Sequence, residues 1–414
     1  MSYRLTLKKF LYLFFLMPLF LVTGPFLPDA VVVLYSIMFF FFIKEIKLSH
    51  YKSDTLIIIF FIFYIVAIFC SLISEYILFS IKSSFLNLRF FLFIFFSIFL
   101  IDKFKKDLII FRNILSLLFL LICLDAFVQY YFNYNTLGFK RIFSSRVSGV
   151  FGDEMILGSF LSKIYPILLA TFFYFFENKN KNYNIFFIFL SVLTTLTIFI
   201  SGERASIYTH LLFLGLCSLF LINFIGLKRL ITISLISLTL IFIIFENNNI
   251  IKNRFFYPLK YLIKNQSIFY YYHKDHFNTA YRIYKDNKIT GSGPNTFRKE
   301  CKKYDINRHR SQNLSCTTHP HNIYLQLLAE TGFFGFAIFS ILYLYLIFSF
   351  FKFSYLELKY KKNKFIPVLI INSALLTHLF PLSTSGNFFN NWINSIFSLL
   401  IIFFIIMKPK KNQF

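Results

Sequence analysis

The chain has 414 residues, of which 57% are hydrophobic and 22% aromatic, and its formal net charge is +25. A water-soluble domain cannot bury so large an apolar fraction, so lipid must be the solvent for most of the chain. The basic residues are spread over short loops between apolar runs, which excludes a concentrated nucleic-acid-binding patch.

The apolar runs predict an all-α integral membrane protein. A helix needs roughly 20 apolar residues to cross a hydrocarbon layer of about 30 Å. By that criterion we expect about twelve spans, with the approximate limits 10–27, 29–43, 55–74, 84–101, 108–128, 156–176, 185–200, 205–225, 229–245, 323–351, 365–384 and 392–407. These spans divide the chain into a first helical part (1–245), one large loop (246–322) and a second helical part (323–414).

The charge pattern predicts that both ends of the chain lie in the cytoplasm, because Lys and Arg in short loops are retained on that side. The basic residues that fall on the inner side are Lys44, Lys47 and Lys52; Lys103, Lys105 and Lys106; Lys179 and Lys181; Lys228 and Arg229; Lys359, Lys361, Lys362 and Lys364; and Lys408, Lys410 and Lys411. Two long segments, 129–155 and 246–322, then fall on the outer side. Long loops cross the membrane largely regardless of their charge.

A first polar motif, 146–154, precedes the sixth predicted span on the outer side. It joins Arg146 and two glycines to the carboxylates of Asp153 and Glu154. Such a turn often only caps the following helix, and Asp153 is a suitable residue for that role. The position of the segment on the outer side makes it a candidate part of a site.

A second polar motif, the turn 201–206, joins two predicted spans and carries Glu203 and Arg204, and Gly202 allows this turn to be tight. Ionisable residues at the lipid boundary are costly and usually face a cavity or a partner. Arg204 would offer planar, permanently charged donors to a phosphate. Alternatively, Glu203 and Arg204 simply pair with each other.

The large loop contributes Arg282 as a second candidate phosphate ligand. Farther along, Gly291 and Gly293 would let backbone amides approach an anion, although a plain loop turn explains them equally well. Cys301 and Cys316 enclose a basic stretch and would form a disulfide in an oxidising compartment.

The most informative segment is 317–332, which ends the large loop and enters a span. It contains His319, Pro320, His321 and Asn322. Pro320 suits the first turn of a helix, and the positive end of that helix would keep His321 neutral and able to accept a proton. Alternatively, the histidines only cap the helix. No metal is predicted, because no third ligand has a recognisable spacing.

The last outer loop, 383–392, is rich in asparagine and aromatic residues. These side chains would hold a sugar by hydrogen bonding and stacking, or form an aromatic belt at the membrane interface. The belt is the more common use of such residues.

The polar motifs fall on one side of the membrane once charge has fixed the topology, and this coincidence predicts a site there. No nucleoside triphosphate is expected outside the membrane, so a transferase at that side needs a donor that is already activated. A lipid diphosphate supplies both the leaving group and the membrane anchor. Arginines would stabilise the departing diphosphate, and a neutral histidine would deprotonate the attacking hydroxyl.

His321 and Asn322 are followed by nine residues and then by Gly332, while Arg204 lies between two spans. With the large outer loop before His321, these features resemble the O-antigen ligase and polymerase superfamily. The resemblance implies a GT-C-like helical bundle in the bacterial inner membrane with a periplasmic site. It also implies metal-independent, inverting transfer of a glycan from undecaprenyl diphosphate to lipid A core, without a cofactor.

Carried over to this chain, the resemblance makes His321 the base and Arg204 and Arg282 the ligands of the donor diphosphate. Arg254 and Arg298 lie in the same loop and are alternatives to Arg282. The residues expected to support the site are His319, Asn322, Arg146, Asp153 and Glu203.

Two other functions remain open from the sequence. A polymerase would use the same donor with a growing glycan as the acceptor, and nothing in the sequence identifies the acceptor. A non-enzymatic transporter of lipid-linked glycan would also use a basic outer surface and buried charges. A transporter should tolerate the loss of His321 better than the loss of its arginines.

Overall fold

The computed structural model of the protein describes residues 2–46, 54–175, 181–246, 248–256, 268–304, 316–360 and 363–409. Within these ranges the fold is all-helical, and the β-type pairing is limited to one isolated bridge between Tyr134 and Lys140. The helices are α1 Ser2–Phe15, α2 Met17–Val22, α3 Phe26–Phe41, α4 Thr55–Ile73, α5 Ile77–Lys103, α6 Leu108–Phe132, α7 Leu157–Tyr174, α8 Lys181–Ile200, α9 Arg204–Ile225, α10 Leu227–Glu246, α11 Ile268–Asp286, α12 Phe297–Glu300, α13 Ile323–Tyr360, α14 Ile366–His378 and α15 Asn391–Met407.

Eight helical segments of the described chain are long and apolar enough to cross a membrane. The prediction of an all-helical, multi-pass membrane protein is therefore confirmed. Four shorter apolar helices lie where the sequence predicted further spans: Phe26–Phe41, Ile185–Ile200, Ile366–His378 and Asn391–Met407. The total of twelve crossings and the GT-C-like arrangement stay predictions.

Helix ends differ from the predicted limits where charge and turn residues misled the sequence reasoning. α13 continues to Tyr360 rather than ending near 351, because the charged residues of its last turns do not interrupt a helix. Glu357 instead accepts the backbone N–H groups of Asn363 and Phe365, at 2.9 and 3.0 Å. These bonds fix the turn that leads into α14.

The core of the bundle lies around α14, whose residues are all buried. This helix packs against α7, α9, α13 and α15. The helix ends at His378, which is itself buried. The central position of α14 explains why a short, moderately apolar run is fully enclosed.

One end of the bundle collects both ends of the described chain and several loops. Lys408 pairs with Asp54 at 2.6 Å, and Lys8 pairs with Asp107 at 3.3 Å. The charge pattern had placed these segments together on the cytoplasmic side. Which end faces the cytoplasm stays a prediction. Several of the basic residues used for it lie outside the described residues: Lys47, Lys52, Lys179, Lys361, Lys362, Lys410 and Lys411.

At the opposite end, which we call the site end, α13 is broken at Gly332, with φ 60° and ψ −159°. The large loop fills the break. The backbone N–H groups of Ser292 and Gly293 donate to the carbonyl oxygens of Ala329 and Glu330, at 2.9 and 2.8 Å. These bonds satisfy carbonyls that the break frees. The loop therefore supplies the hydrogen-bond donors that the broken helix lacks at this point.

Glycine is required on both sides of this junction. A Cβ atom on Gly291 would lie 2.4 Å from the carbonyl carbon of Glu330, and one on Gly332 would lie 2.3 Å from the oxygen of Ile289. The amides of Gly291 and Gly293 are both engaged by backbone carbonyls. The idea that these amides approach an anion is therefore wrong, and the glycines instead allow the loop to pack closely against α13.

The large loop is held by a second link, the predicted disulfide between Cys301 and Cys316, with Cα atoms 5.1 Å apart. Cys301 is fully buried in a small core with Ala280 and Ile283 of α11 and Ala329 of α13. The bond connects the short helix α12 to the segment that leads to His319. It therefore restrains the approach to the most informative polar motif.

Candidate active site

The segment before α13 holds His321 next to the positive end of that helix. Asn322 is the capping residue, since its side-chain oxygen accepts the backbone N–H of Leu325 at 3.0 Å. The prediction that Pro320 occupies the first helical turn is wrong, because the helix begins at Ile323. An asparagine cap satisfies a free N–H group that a proline cannot.

His321 itself has an unusual backbone, with φ +58°. Few residues other than glycine adopt this conformation, and such residues often occur at functional sites. The carbonyl oxygen of His321 accepts the N–H of Ser385 at 2.9 Å. The last outer loop thus holds the strained residue in place.

The same loop is tied to the first turn of α13 by two further bonds. Asn322 donates from its side-chain amide to the carbonyl oxygen of Pro381 at 2.7 Å. The hydroxyl of Tyr324 donates to the carbonyl oxygen of Leu379 at 2.9 Å. Asn322, predicted to support the site, therefore caps the helix and positions the loop beside His321.

His319 is hydrogen-bonded at both ring nitrogens. Its Nε2 donates to the carbonyl oxygen of Ser385 at 3.2 Å, because a carbonyl can only accept. Its Nδ1 then accepts from the hydroxyl of Thr318 at 2.9 Å. Burial lowers the pKa of His319 to about 4, so the ring is neutral at pH 7. These bonds fix the orientation of His319.

The ring of His321 lies 4.4 Å from that of His319, measured between centroids. Burial, followed by the neighbouring histidines, lowers the pKa of His321 to about 3. The ring is therefore neutral at pH 7 and retains a lone pair. This state agrees with the neutral, base-competent imidazole expected from the sequence, although its causes are burial and the neighbouring histidines.

Two histidines that the sequence reasoning missed, His273 and His276, complete this group from α11. Their ring centroids lie 4.8 and 5.3 Å from that of His321. Burial, and then His276 and Arg204, lower the pKa of His273. The available signal was a pair of histidines three residues apart, which occupy one face of a helix.

These groups border a cavity of about 1490 Å³ at the site end. Its polar wall includes His273, Arg298, His319 and His321. Much of the rest of the wall is apolar, and the aliphatic and aromatic side chains there include Leu19, Leu118, Leu121, Leu124, Val128, Leu137, Phe139, Ile156, Ile393 and Phe397. The carboxylates of Asp125 and Glu154 also line the cavity. The cavity thus combines an imidazole-rich polar part, which includes the guanidinium of Arg298, with a hydrophobic part.

Lys163 also lines the cavity, although it belongs to the apolar helix α7. It interacts electrostatically with Glu203 and with His378, which lines the same cavity. The sequence reasoning missed Lys163. The available signal was a single basic residue inside an apolar span, which usually faces a cavity or a partner.

Glu203 caps the N-terminus of α7, although it is far from that helix in sequence. Its carboxylate accepts the backbone N–H groups of Gly158 and Ser159, at 2.7 and 3.2 Å, and the hydroxyl of Ser206 at 3.1 Å. A carboxylate at this position also stabilises the positive helix end. Asp153 is exposed instead, and α7 has no side-chain cap from its own flank, so the prediction that Asp153 caps this helix is wrong.

Arg204 and Arg146 lie together at the start of α9. Arg204 is exposed and acts electrostatically on both His273 and Arg146. Arg146 donates to the carbonyl oxygen of Met155 at 2.8 Å, and burial lowers its pKa. The turn between α8 and α9 is tight as predicted, because Gly202 has φ +67°. The fold therefore brings the motifs around 146, 204 and 321 to one place.

Arg282 and Arg204 are both exposed, and neither is one of the residues that line the cavity. Arg204 nevertheless acts electrostatically on His273, which does line it. Arg298 does line the cavity, and its Nε is buried with no hydrogen-bond partner among the described residues. The diphosphate-binding role of Arg282 stays a prediction, and Arg298 is the better placed alternative.

Comparison with protein families agrees with this arrangement. Residues 189–340 match a family model described as O-antigen ligase. The matched segment includes Arg204, α11, the glycine junction and His321. The resemblance to the O-antigen ligase and polymerase superfamily is therefore confirmed over this part of the chain. No curated protein matches the chain at a significant level.

Proposed function

We propose that the protein is an inverting glycosyltransferase that moves an O-antigen-type glycan from undecaprenyl diphosphate to lipid A core at the periplasmic face of the inner membrane. The observation that carries the proposal is the position of His321, a neutral imidazole on the wall of a cavity that also holds Arg298 and Lys163 and is hydrophobic in another part. The match to the O-antigen ligase family model supports the reaction class.

The two kinds of cavity wall suit an amphipathic donor. A polyprenyl diphosphate has an anionic head and a long hydrocarbon chain, and each part needs a different surface. Leu121 and Leu124 are 56% and 47% exposed and line the cavity from α6. An apolar wall with a few convergent polar groups is typical of ligand sites. In this proposal the lipid chain lies along that wall.

The diphosphate would bind to the cations around the imidazole group. Arg204 and Arg298 supply planar guanidinium groups that form paired hydrogen bonds with phosphate oxygens. Lys163 reaches the same cavity from α7 as a compact positive charge. Donors fixed in a dry site stabilise the negative charge that develops on the leaving group. This stabilisation replaces the Lewis acid that a metal would provide.

His321 would act as the general base. A hydroxyl oxygen of the acceptor attacks the anomeric carbon and forms the new glycosidic bond, while the bond from that carbon to the diphosphate oxygen breaks. The bonding electron pair leaves with the diphosphate, and the hydroxyl proton moves to the free nitrogen of His321. Attack opposite the leaving group inverts the anomeric centre. The products are the glycoside and undecaprenyl diphosphate.

The acceptor can be identified from the lipopolysaccharide of a strain that lacks the gene. A ligase defect leaves uncapped core together with accumulated lipid-linked polymer, and this is the result that we expect. Core that carries a single repeat would identify a polymerase instead. Unchanged lipopolysaccharide would contradict both functions. Complementation with the wild-type gene is the control for each outcome.

A transfer assay separates an enzyme from a transporter. Purified protein in detergent, with lipid-linked glycan and acceptor, should form the glycosylated product without a membrane potential or a second compartment. A transporter has no reason to form a covalent product under these conditions. Absence of product with active, folded protein and both lipid substrates would contradict the proposed function.

A further inference from the structure

We propose that His273, His276 and His321 form a binding site for a divalent transition-metal ion such as Zn²⁺, and that the bound ion inhibits glycan transfer. Each residue offers one imidazole nitrogen, and the three atoms all lie within 4.8 Å of one another. The inhibitory part of the proposal rests on the function proposed above, because it takes His321 to be the base.

Two of the three rings have an unsatisfied nitrogen. The Nδ1 atoms of His273 and His276 are buried and have no hydrogen-bond partner among the described residues. His276 is only 9% exposed. A buried polar atom without a partner is unfavourable, and native proteins contain few of them. These two atoms are therefore available to coordinate an ion beside the third imidazole.

The arrangement of the polypeptide explains how the three residues meet. His273 and His276 are three residues apart on α11, so they share one helix face. α11 packs against α13, and His321 directly precedes the capping residue of α13. The sequence contains no third ligand at a metal-site spacing near His319 and His321. The tertiary structure supplies two from another helix.

The chemistry of the group selects the kind of ion. Imidazole nitrogen suits zinc, copper, nickel and iron, whereas magnesium and calcium prefer oxygen ligands. Three protein ligands with a free fourth position are common for zinc. Zinc–nitrogen distances of about 2.0–2.1 Å place the ligand atoms about 3.3 Å apart in a tetrahedral site. A small rotation of the side chains would bring the three nitrogen atoms to that spacing.

His319 is not a ligand in this proposal, because hydrogen bonds engage both of its nitrogens. The nearby positive charge of Arg204 opposes a bound cation, since it already acts on His273. We therefore expect weaker binding than in a structural zinc site with four ligands. Because His273 and His321 line the cavity, an ion can reach them from there.

A bound ion would block glycan transfer because it would occupy His321, the proposed base. The nitrogen lone pair that accepts the hydroxyl proton would be engaged by the metal, so the acceptor oxygen would lose its base. The ion is thus an inhibitor that competes with proton transfer, and the reaction itself proceeds without it.

Metal binding is tested on the full chain in detergent after chelator treatment and removal of the chelator. Titration with ZnCl₂ should show one ion per chain by calorimetry and by metal analysis after gel filtration. His273→Ala and His276→Ala should each weaken binding by about tenfold or more. Asn278→Ala, which changes an exposed residue of the same helix, should bind as the wild type does. Equal binding by all four proteins, or no binding by the wild type, would overturn the site.

Inhibition is tested by measuring transfer with and without ZnCl₂ for each protein and comparing the two rates within that protein. The wild-type rate should fall at least tenfold and recover on addition of chelator, while the fall should be much smaller for His276→Ala. Binding without inhibition would overturn the regulatory part. A rate that rises with zinc would overturn it as well. Failure of the metal site leaves transfer intact, whereas failure of the proposed function shows as absent transfer in metal-free protein.

Discussion

His319 and His321 are neighbours in sequence and in space, with ring centroids 4.4 Å apart, yet their surroundings differ. Both nitrogens of His319 are engaged, by Thr318 and Ser385. Among the described residues, His321 has ring contacts but no hydrogen bond at either nitrogen. His319 is thus suited to position the segment and His321 to react.

His321→Gln should reduce transfer by about two to four orders of magnitude, the usual contribution of a general base. The glutamine side chain keeps the approximate size and polarity but cannot accept the proton. The rate of product formation in the purified assay is the measurement, with gel filtration to check the fold. A variant that keeps more than a tenth of the wild-type rate would contradict the base assignment.

Lys163→Gln should weaken donor use by about 10–100-fold, since a hydrogen bond to a charged group contributes about 1.5–3 kcal/mol. The effect should appear in kcat/KM for the lipid-linked donor, because the lysine lies in the cavity. Lys82→Gln is the matched control, because Lys82 is exposed and does not line the cavity. Similar kinetics for the two variants would exclude a role for Lys163 in donor binding.

Arg298→Gln should reduce donor use more than Arg282→Gln does, by about tenfold or more. Only Arg298 lines the cavity, whereas Arg282 is exposed on α11. The two variants remove the same charge from the same loop, so each is the control for the other. A larger loss for Arg282→Gln would restore the assignment that the family resemblance implied.

Glu203→Ala should lower the stability of the protein by about 1–3 kcal/mol, because two N–H groups of the α7 terminus lose their acceptor. The expected result is a fall of several degrees in the apparent Tm of the detergent-solubilised protein. Asp153→Ala is the control, because Asp153 is exposed and caps no helix. Equal melting of the two variants would show that the long-range cap contributes little.

Gly332→Ala should prevent the large loop from joining α13. The added Cβ would lie 2.3 Å from the oxygen of Ile289, and the backbone has φ +60°. We expect aggregation or poor yield after membrane extraction, measured by gel filtration. Gly215→Ala is the control, since a Cβ there has no atom within 4 Å. A monodisperse, active Gly332→Ala protein would contradict this account of the junction.

The site could be predicted in part from the sequence. Arg204 and His321 each belong to a short polar motif beside an apolar run, and charge placed both motifs on one side of the membrane. The fold brings them to the same end of the bundle. Lys163 and His276 were missed because a basic residue in an apolar helix and a histidine pair three residues apart indicate a cavity or a shared helix face, but do not identify the distant residues that they meet.

What the sequence determined by itself is the class of structure, because the cost of placing polar groups in lipid forces apolar runs to become helices. It also predicted the tight turn at Gly202 and, for an oxidising compartment, the disulfide between Cys301 and Cys316. These features depend on local composition and on the backbone freedom of single residues.

The tertiary structure alone decided which groups share the cavity. Glu203, which lies in the turn between α8 and α9, caps α7. The loop around Gly291 donates hydrogen bonds to the carbonyl oxygens that the break in α13 leaves free. The imidazoles of His273, His276 and His321 meet because α11 packs on α13. Packing between distant helices depends on the shape of whole surfaces, so no short segment of sequence records it.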